Sequence, residues 1–224
     1  MTDAAALLTA LQHGDSFFPS GGFAFSWGLE TLHAEGAVAS ADDVARFAEG
    51  QIRHRWAPCD RPAMLAAHRA AADWDSVAAV DAELEALALP AALRTGSRRA
   101  GRALLGVHAR LGAPGAAAYR TVIANLGAPG HLAVAQGVVW RGAGIAEGDA
   151  AALSAYTLIV GIVGAAVRLG AIGHVDGQKT LSRLRAAIVA LLAEPAPAHP
   201  SAFTPAADIA MMRHERRHVR LFAN

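Results

Sequence analysis

The sequence predicts an all-α fold: a single domain of about ten helices around an apolar central helix. Three observations carry this. Ala and Leu dominate, and apolar residues recur at spacings of three and four, as in Ala4–Leu7–Leu8–Leu11. The strict alternation that marks a half-buried strand is almost absent. Gly and Pro then cut the chain into segments of ordinary helix length. At 224 residues, 54% hydrophobic and 17% charged, the chain can close one large core without staples. It lies well away from the composition of disorder.

The first helix is expected from about Thr2 to His13, followed by a loop over 14–22 and a second helix that Gly36 stops. Ser40 with Asp43 three residues on resembles a capping box and opens a helix toward Trp56. Pro58 and Pro62 begin the next, which ends before Asp73. Asp75 is expected to cap the segment through Leu89, and Pro90 to start a long helix reaching Leu111. The pentapeptide Leu-Gly-Ala-Pro-Gly occurs at 111–115 and again at 126–130, and both copies read as helix-to-helix turns. Helices at about 130–143, 149–172 and 177–193 complete a body spanning 1–194.

Pro195, Pro197, Pro200 and Pro205 then make a Pro-rich linker over 195–205, and 206–224 resume as a short amphipathic helix and tail. Such a tail suits partner binding. Docking back on its own core is the competing reading. Residues 150–167 carry no charge and approach bilayer-spanning length. Arg168 follows at once and aromatic belts are missing at the ends, so a buried core helix is the better reading than a membrane-associated scaffold.

Twenty basic residues against nineteen acidic leave a net charge of +1, so no long-range field recruits nucleic acid. Cys59 stands alone, which fits a reducing compartment, and the N-terminus lacks the basic start of a secretory signal. The cytoplasm is the expected location. No Walker loop is present, and Gly142-x-Gly144 lacks the third Gly of a dinucleotide site.

His214-Glu215-Arg216-Arg217-His218 matches H-E-x-x-H, the zinc-hydrolase pattern. A catalytic zinc needs a third protein ligand, and nothing in 219–224 supplies one. The match is treated as accidental. Arg94, Arg98 and Arg102, with Arg99 adjacent, form a cationic stripe on one helix; it fits an acidic partner or a solvated face. The segment 15–30 differs from the rest. Phe17, Phe18, Phe23, Phe25 and Trp27 crowd around Gly21-Gly22 in a chain only 6% aromatic. Aromatics beside flexible Gly serve as interface anchors or as core plugs.

Pro19-Ser20-Gly21-Gly22-Phe23-Ala24-Phe25-Ser26-Trp27-Gly28-Leu29-Glu30 resembles the P-x-G-G-[FY]-x-x-S-x-G-L-E signature of the UreF family of urease accessory proteins. Arg94–Leu105 is similar to that family's basic helix with its central Gly. Residues 165–173 with Asp176-Gly177-Gln178, and Asp208–Glu215 with Arg220-Leu221-Phe222, resemble its later motifs in order and spacing. His174 stands where the family usually has Gln, His218 where it has Tyr, and Val219 where it has Ser. The change at 218 completes the false zinc motif.

The resemblance implies an all-α homodimer with no catalytic residue, cofactor or metal site of its own. It implies a bridge between UreD (also called UreH) and the GTPase UreG, modulating the latter, in the complex that delivers nickel to apo-urease. Partner contacts are expected at Phe23, Glu30, Arg168, Gln178, Arg213, His214, Glu215 and Arg220. Phe23 and Arg220 are the pair expected to engage UreG.

Overall fold

The computed structural model describes residues 4–15, 17–19, 25–70, 72–214 and 221–222. Their regular structure is entirely helical, as expected. In order these are α1 (Ala4–Gly14), α2 (Leu29–Ala34), α3 (Ala41–Gln51), a π-helical segment (Ile52–Asp60) and α4 (Arg61–Ala70). Then come α5 (Trp74–Leu87), α6 (Ala91–Arg110), α7 (Ala116–Leu126), α8 (Leu132–Gly142), α9 (Glu147–Arg168), α10 (His174–Ala193) and α11 (Pro205–His214).

The expected capping box opens α3: Ser40 Oγ accepts from Asp43 N–H, and the Asp43 carboxylate accepts from Ser40 N–H at 3.0 Å. The helix does not stop at Pro58. It widens into the π-helical segment and continues into α4, because proline has no N–H to give the i→i−4 ladder and its ring crowds the carbonyl below. Asp73, not Asp75, caps α5: its carboxylate accepts from Ser76 N–H at 3.2 Å. Both Leu-Gly-Ala-Pro-Gly copies are turns. Gly112 and Gly127 leave α6 and α7 at φ 74° and 71°, a conformation closed to most side chains.

α9 is the central helix. Its first half gives Ala150, Ala151 and Leu153 to a core shared with α4 through α8, and its second half gives Ile159, Ile162, Val163 and Ala166 to a core shared with α2, α3 and α10. Its most apolar window has mean hydropathy 2.0, and 56% of that window is buried within the fold. One helix thus threads both cores, which explains its lack of a polar face. Packing takes up the larger share of the apolar stretch, as the core reading expected.

α4 and α8 pack closely at Gly137, where an added Cβ would clash with the carbonyl of Met64. Gly137→Ala places a methyl against backbone that cannot swing aside. The expected cost is about 1–3 kcal/mol in denaturant unfolding, despite the gain in helix propensity.

The Pro-rich stretch is not a free linker. Ser201 N–H donates to Pro58 O at 2.8 Å, and Phe203 N–H to His54 O at 2.9 Å. These carbonyls belong to the π-helical segment, so the widened helix holds the strap that crosses it. The strap then delivers α11 to the body, where Ala207, Ala210, Met211 and His214 are buried and Met211 packs on Ala88 and Leu93. Of the two readings of 206–224, docking back on the core describes α11. A detached helix does not, because its buried side chains already have partners within the chain.

Candidate functional site

The C-terminal helix ends against the N-terminal motif, and one carboxylate makes the junction. Trp27 and Gly28 adopt positive φ, 56° and 84°, and turn the chain into α2 so that Glu30 faces inward in its first turn. Gly28 has to be glycine for a second reason, since an added Cβ would lie 2.8 Å from the carbonyl of Ala207 in α11. The Glu30 carboxylate accepts from His214 Nε2 at 2.8 Å, from Leu221 N–H at 2.7 Å and from Phe222 N–H at 3.1 Å. Glu30 and His214 are both buried, at 6% and 1% exposure.

Burial raises the Glu30 carboxyl, but the hydrogen bonds from Leu221, His214 and Phe222 outweigh it and hold the group below the usual carboxylate range. Beyond the clasp the Phe222 ring is buried, and the Arg168 guanidinium lies over it at 4.2 Å from the ring centroid. Burial lowers the Arg168 pKa.

The residues expected at partner contacts therefore divide. Glu30 and His214 are inside the fold and bind each other and the tail; their burial makes them tail-anchoring groups rather than groups presented to a partner. Arg168 supports the tail through Phe222. Gln178 is exposed on α10, and Arg213 is exposed on α11 in an ion pair with Glu35 at 3.3 Å. Phe23, Glu215 and Arg220 lie outside the described residues, as does His218. Sequence reading missed Glu35 and the stacked ring of Phe222. The Arg-Leu-Phe ending was the available signal for the latter.

His214 also bears on the H-E-x-x-H match, since its Nε2 is committed to Glu30. Among the described residues no group of three or more His, Cys, Asp or Glu side chains could hold a metal ion. The Cys59 thiol is buried and pushed up to about 12 by that burial and by Asp60, far from a thiolate nucleophile. The cationic stripe on α6 is largely engaged within the chain. Arg94 donates to the carbonyls of Ala88 and Leu89, Arg98 pairs with Glu85 at 3.4 Å, and Arg102 donates to Pro129 O. Arg99 remains exposed.

The arrangement is one of packing and anchoring: a buried carboxylate collecting two backbone N–H groups and an imidazole. Comparison with known proteins agrees with it. The UreF family model matches residues 38–185. The chain is 31% identical to a urease accessory protein UreF of Trichodesmium erythraeum, over 100% of this chain and 99% of that protein. It is 30% identical to the UreF proteins of Kocuria rhizophila, covering 97% of each chain, and of Yersinia enterocolitica, covering 99% of this chain and 100% of that one. These relatives are named accessory proteins, not enzymes. The alignment with the Trichodesmium protein runs through both clasped motifs, which lie outside the span of the family model, and the chain belongs to the UreF family of urease accessory proteins.

Proposed function

We propose that the chain is a binding module that bridges UreD (UreH) and the GTPase UreG, modulating the latter, in the complex that delivers nickel to apo-urease. The Glu30 clasp is the observation that supports this reading. It joins the two family motifs most distant in sequence, one ending at Glu30 and the other at Phe222. The proposal assigns Phe23 and Arg220, which border the clasped segments in sequence, to the surface that engages UreG. Nickel is the cargo of the complex and is not held by this chain. The chain works in the cytoplasm as a homodimer, with the contact at α6 or the apolar helices beside it.

Co-purification with UreD and UreG from the same genome tests the reading. Phe23→Ala and Arg220→Ala should each cost about 2 kcal/mol or more of UreG binding, with little change in melting. A Phe23 that plugs the core would instead cost about 3–5 kcal/mol of stability on truncation. Unchanged pull-down with normal melting for both variants overturns the assignment. His218→Tyr should retain function; its loss, or loss on chelation of the chain alone, would reinstate a metal role for the tail. Sedimentation that finds only monomer, with UreD bound, overturns the dimer.

A further inference from the structure

A cavity of about 590 Å³ opens between the π-helical segment, α8, α9 and α10, with Trp27 and Trp56 on its walls. Polar groups on its lining include His13, Asp60, Gln136, Arg168 and His174, and the most buried charge among them is Arg55, only 7% exposed. A guanidinium has five N–H donors. Those of Arg55 make one long bond, from Nη2 to Asp60 Oδ1 at 3.4 Å, and Nε has no partner. A buried cation so sparsely bonded is costly unless something else meets it. Asp60 and Asp208 are the carboxyls whose charge it feels, and burial pushes both up, toward the neutral acid, so they answer it weakly.

Two further observations fall at the same place. Arg55 and Asp60 are five residues apart within the π-helical segment, about one turn of that rare geometry, and both line the cavity. The Arg55 guanidinium lies 5.8 Å from the ring centroid of Trp27, and Trp27 is the one non-glycine residue at positive φ among the described residues. Strained backbone and unusual helical geometry collect where a fold holds a ligand. Opposite, Gly161 of α9 lines the cavity with nothing within 4 Å of the position its Cβ would take.

We propose that this cavity binds a small organic carboxylate with an apolar body. The carboxylate meets the fork of Arg55, the match that fork makes best. The body rests on Trp27, Trp56 and the open face of α9 at Gly161. The volume is that of an ordinary small-molecule pocket, with apolar walls and polar groups among them. The cavity borders the clasp at Arg168, which also lines it, but the site does not depend on the proposed bridging role.

Isothermal titration of the full chain with phenylacetate, and with phenylacetamide as its neutral counterpart, tests the proposal. Phenylacetate should bind at one saturable site, about tenfold or more tighter than the amide, or ~1.4 kcal/mol. Arg55→Gln should erase the difference between acid and amide. Gly161→Leu should narrow the cavity and weaken binding of both by about tenfold or more while leaving the circular dichroism melt intact, because leucine is the better helix former. Should Arg55→Gln fail to fold, the acid–amide contrast and Gly161→Leu still decide. A cavity that holds only water gives no saturable heat. That result, equal binding of acid and amide, or undiminished binding to Gly161→Leu overturns the proposal.

Discussion

Glu30→Ala should release the C-terminal tail while the helical body stays folded. The substitution leaves Leu221 N–H, Phe222 N–H and the His214 ring without their acceptor. A single buried donor left unmet costs about 1–3 kcal/mol, but these three sit at a chain end that can open to water. The loss therefore appears as local opening. Hydrogen exchange at Leu221 and Phe222 should quicken roughly thirtyfold, corresponding to about 2 kcal/mol, with core amides unchanged. Phe222 leaves its pocket with them and Arg168 loses the ring beneath it.

Acid should act in the same direction. The folded carboxyl of Glu30 is depressed, so the clasp is at full strength above the ordinary Glu value of about 4.3 and is lost as pH falls through the folded value. Exchange at these two amides should be flat, after correction for intrinsic rates, from neutral pH down to that region and then rise. If Glu30→Ala leaves both amides as protected as in the wild type, the clasp does not hold the tail. In the proposed bridging role the same variant should weaken UreG and UreD capture together, because both motifs lose their shared anchor.

Asp81→Ala should cause the largest loss of global stability. Asp81 is fully buried in α5, and its carboxylate accepts from Tyr119 OH at 2.6 Å, from His131 N–H at 2.9 Å and from Gly130 N–H. It ties α7 to the turn that starts α8, beneath α6, where Gly101 packs directly on the carbonyl of Gly130. Unlike the tail, none of these donors can reach water without breaking the core. Truncation should cost about 4 kcal/mol, more than one unmet bond and less than the sum of three. For a chain of this size that lowers the melting temperature by roughly 8–16 °C. Tyr119→Phe removes one bond and keeps the ring stacked on Trp74, so about 1 kcal/mol is expected. A melting loss for Asp81→Ala no larger than for Tyr119→Phe would mean that the carboxylate does not organise this junction.

The sequence determined the helices because the signals for them are local. Ser40 and Asp43 are within one turn of each other, the glycines of both Leu-Gly-Ala-Pro-Gly copies end helices by their own backbone freedom, and the uncharged run at 150–167 declares a helix with no solvent face. Ordered motifs along the chain likewise carried the family. Sequence could not determine how those motifs meet. The spacing of His214 and His218 matched a zinc pattern that the missing third ligand already argued against, and only the approach of α11 to α2 assigns His214 Nε2 to Glu30, 184 positions away. Proline density suggested a free linker over 195–205, and only the carbonyls of His54 and Pro58 turn it into a strap. Those carbonyls accept bonds because a proline within a helix widens it, a consequence read from geometry rather than composition. Local propensity fixes each element where neighbours in sequence are neighbours in space. A buried polar group is satisfied by whatever the packed chain brings within about 3 Å, so its role is decided by the tertiary structure.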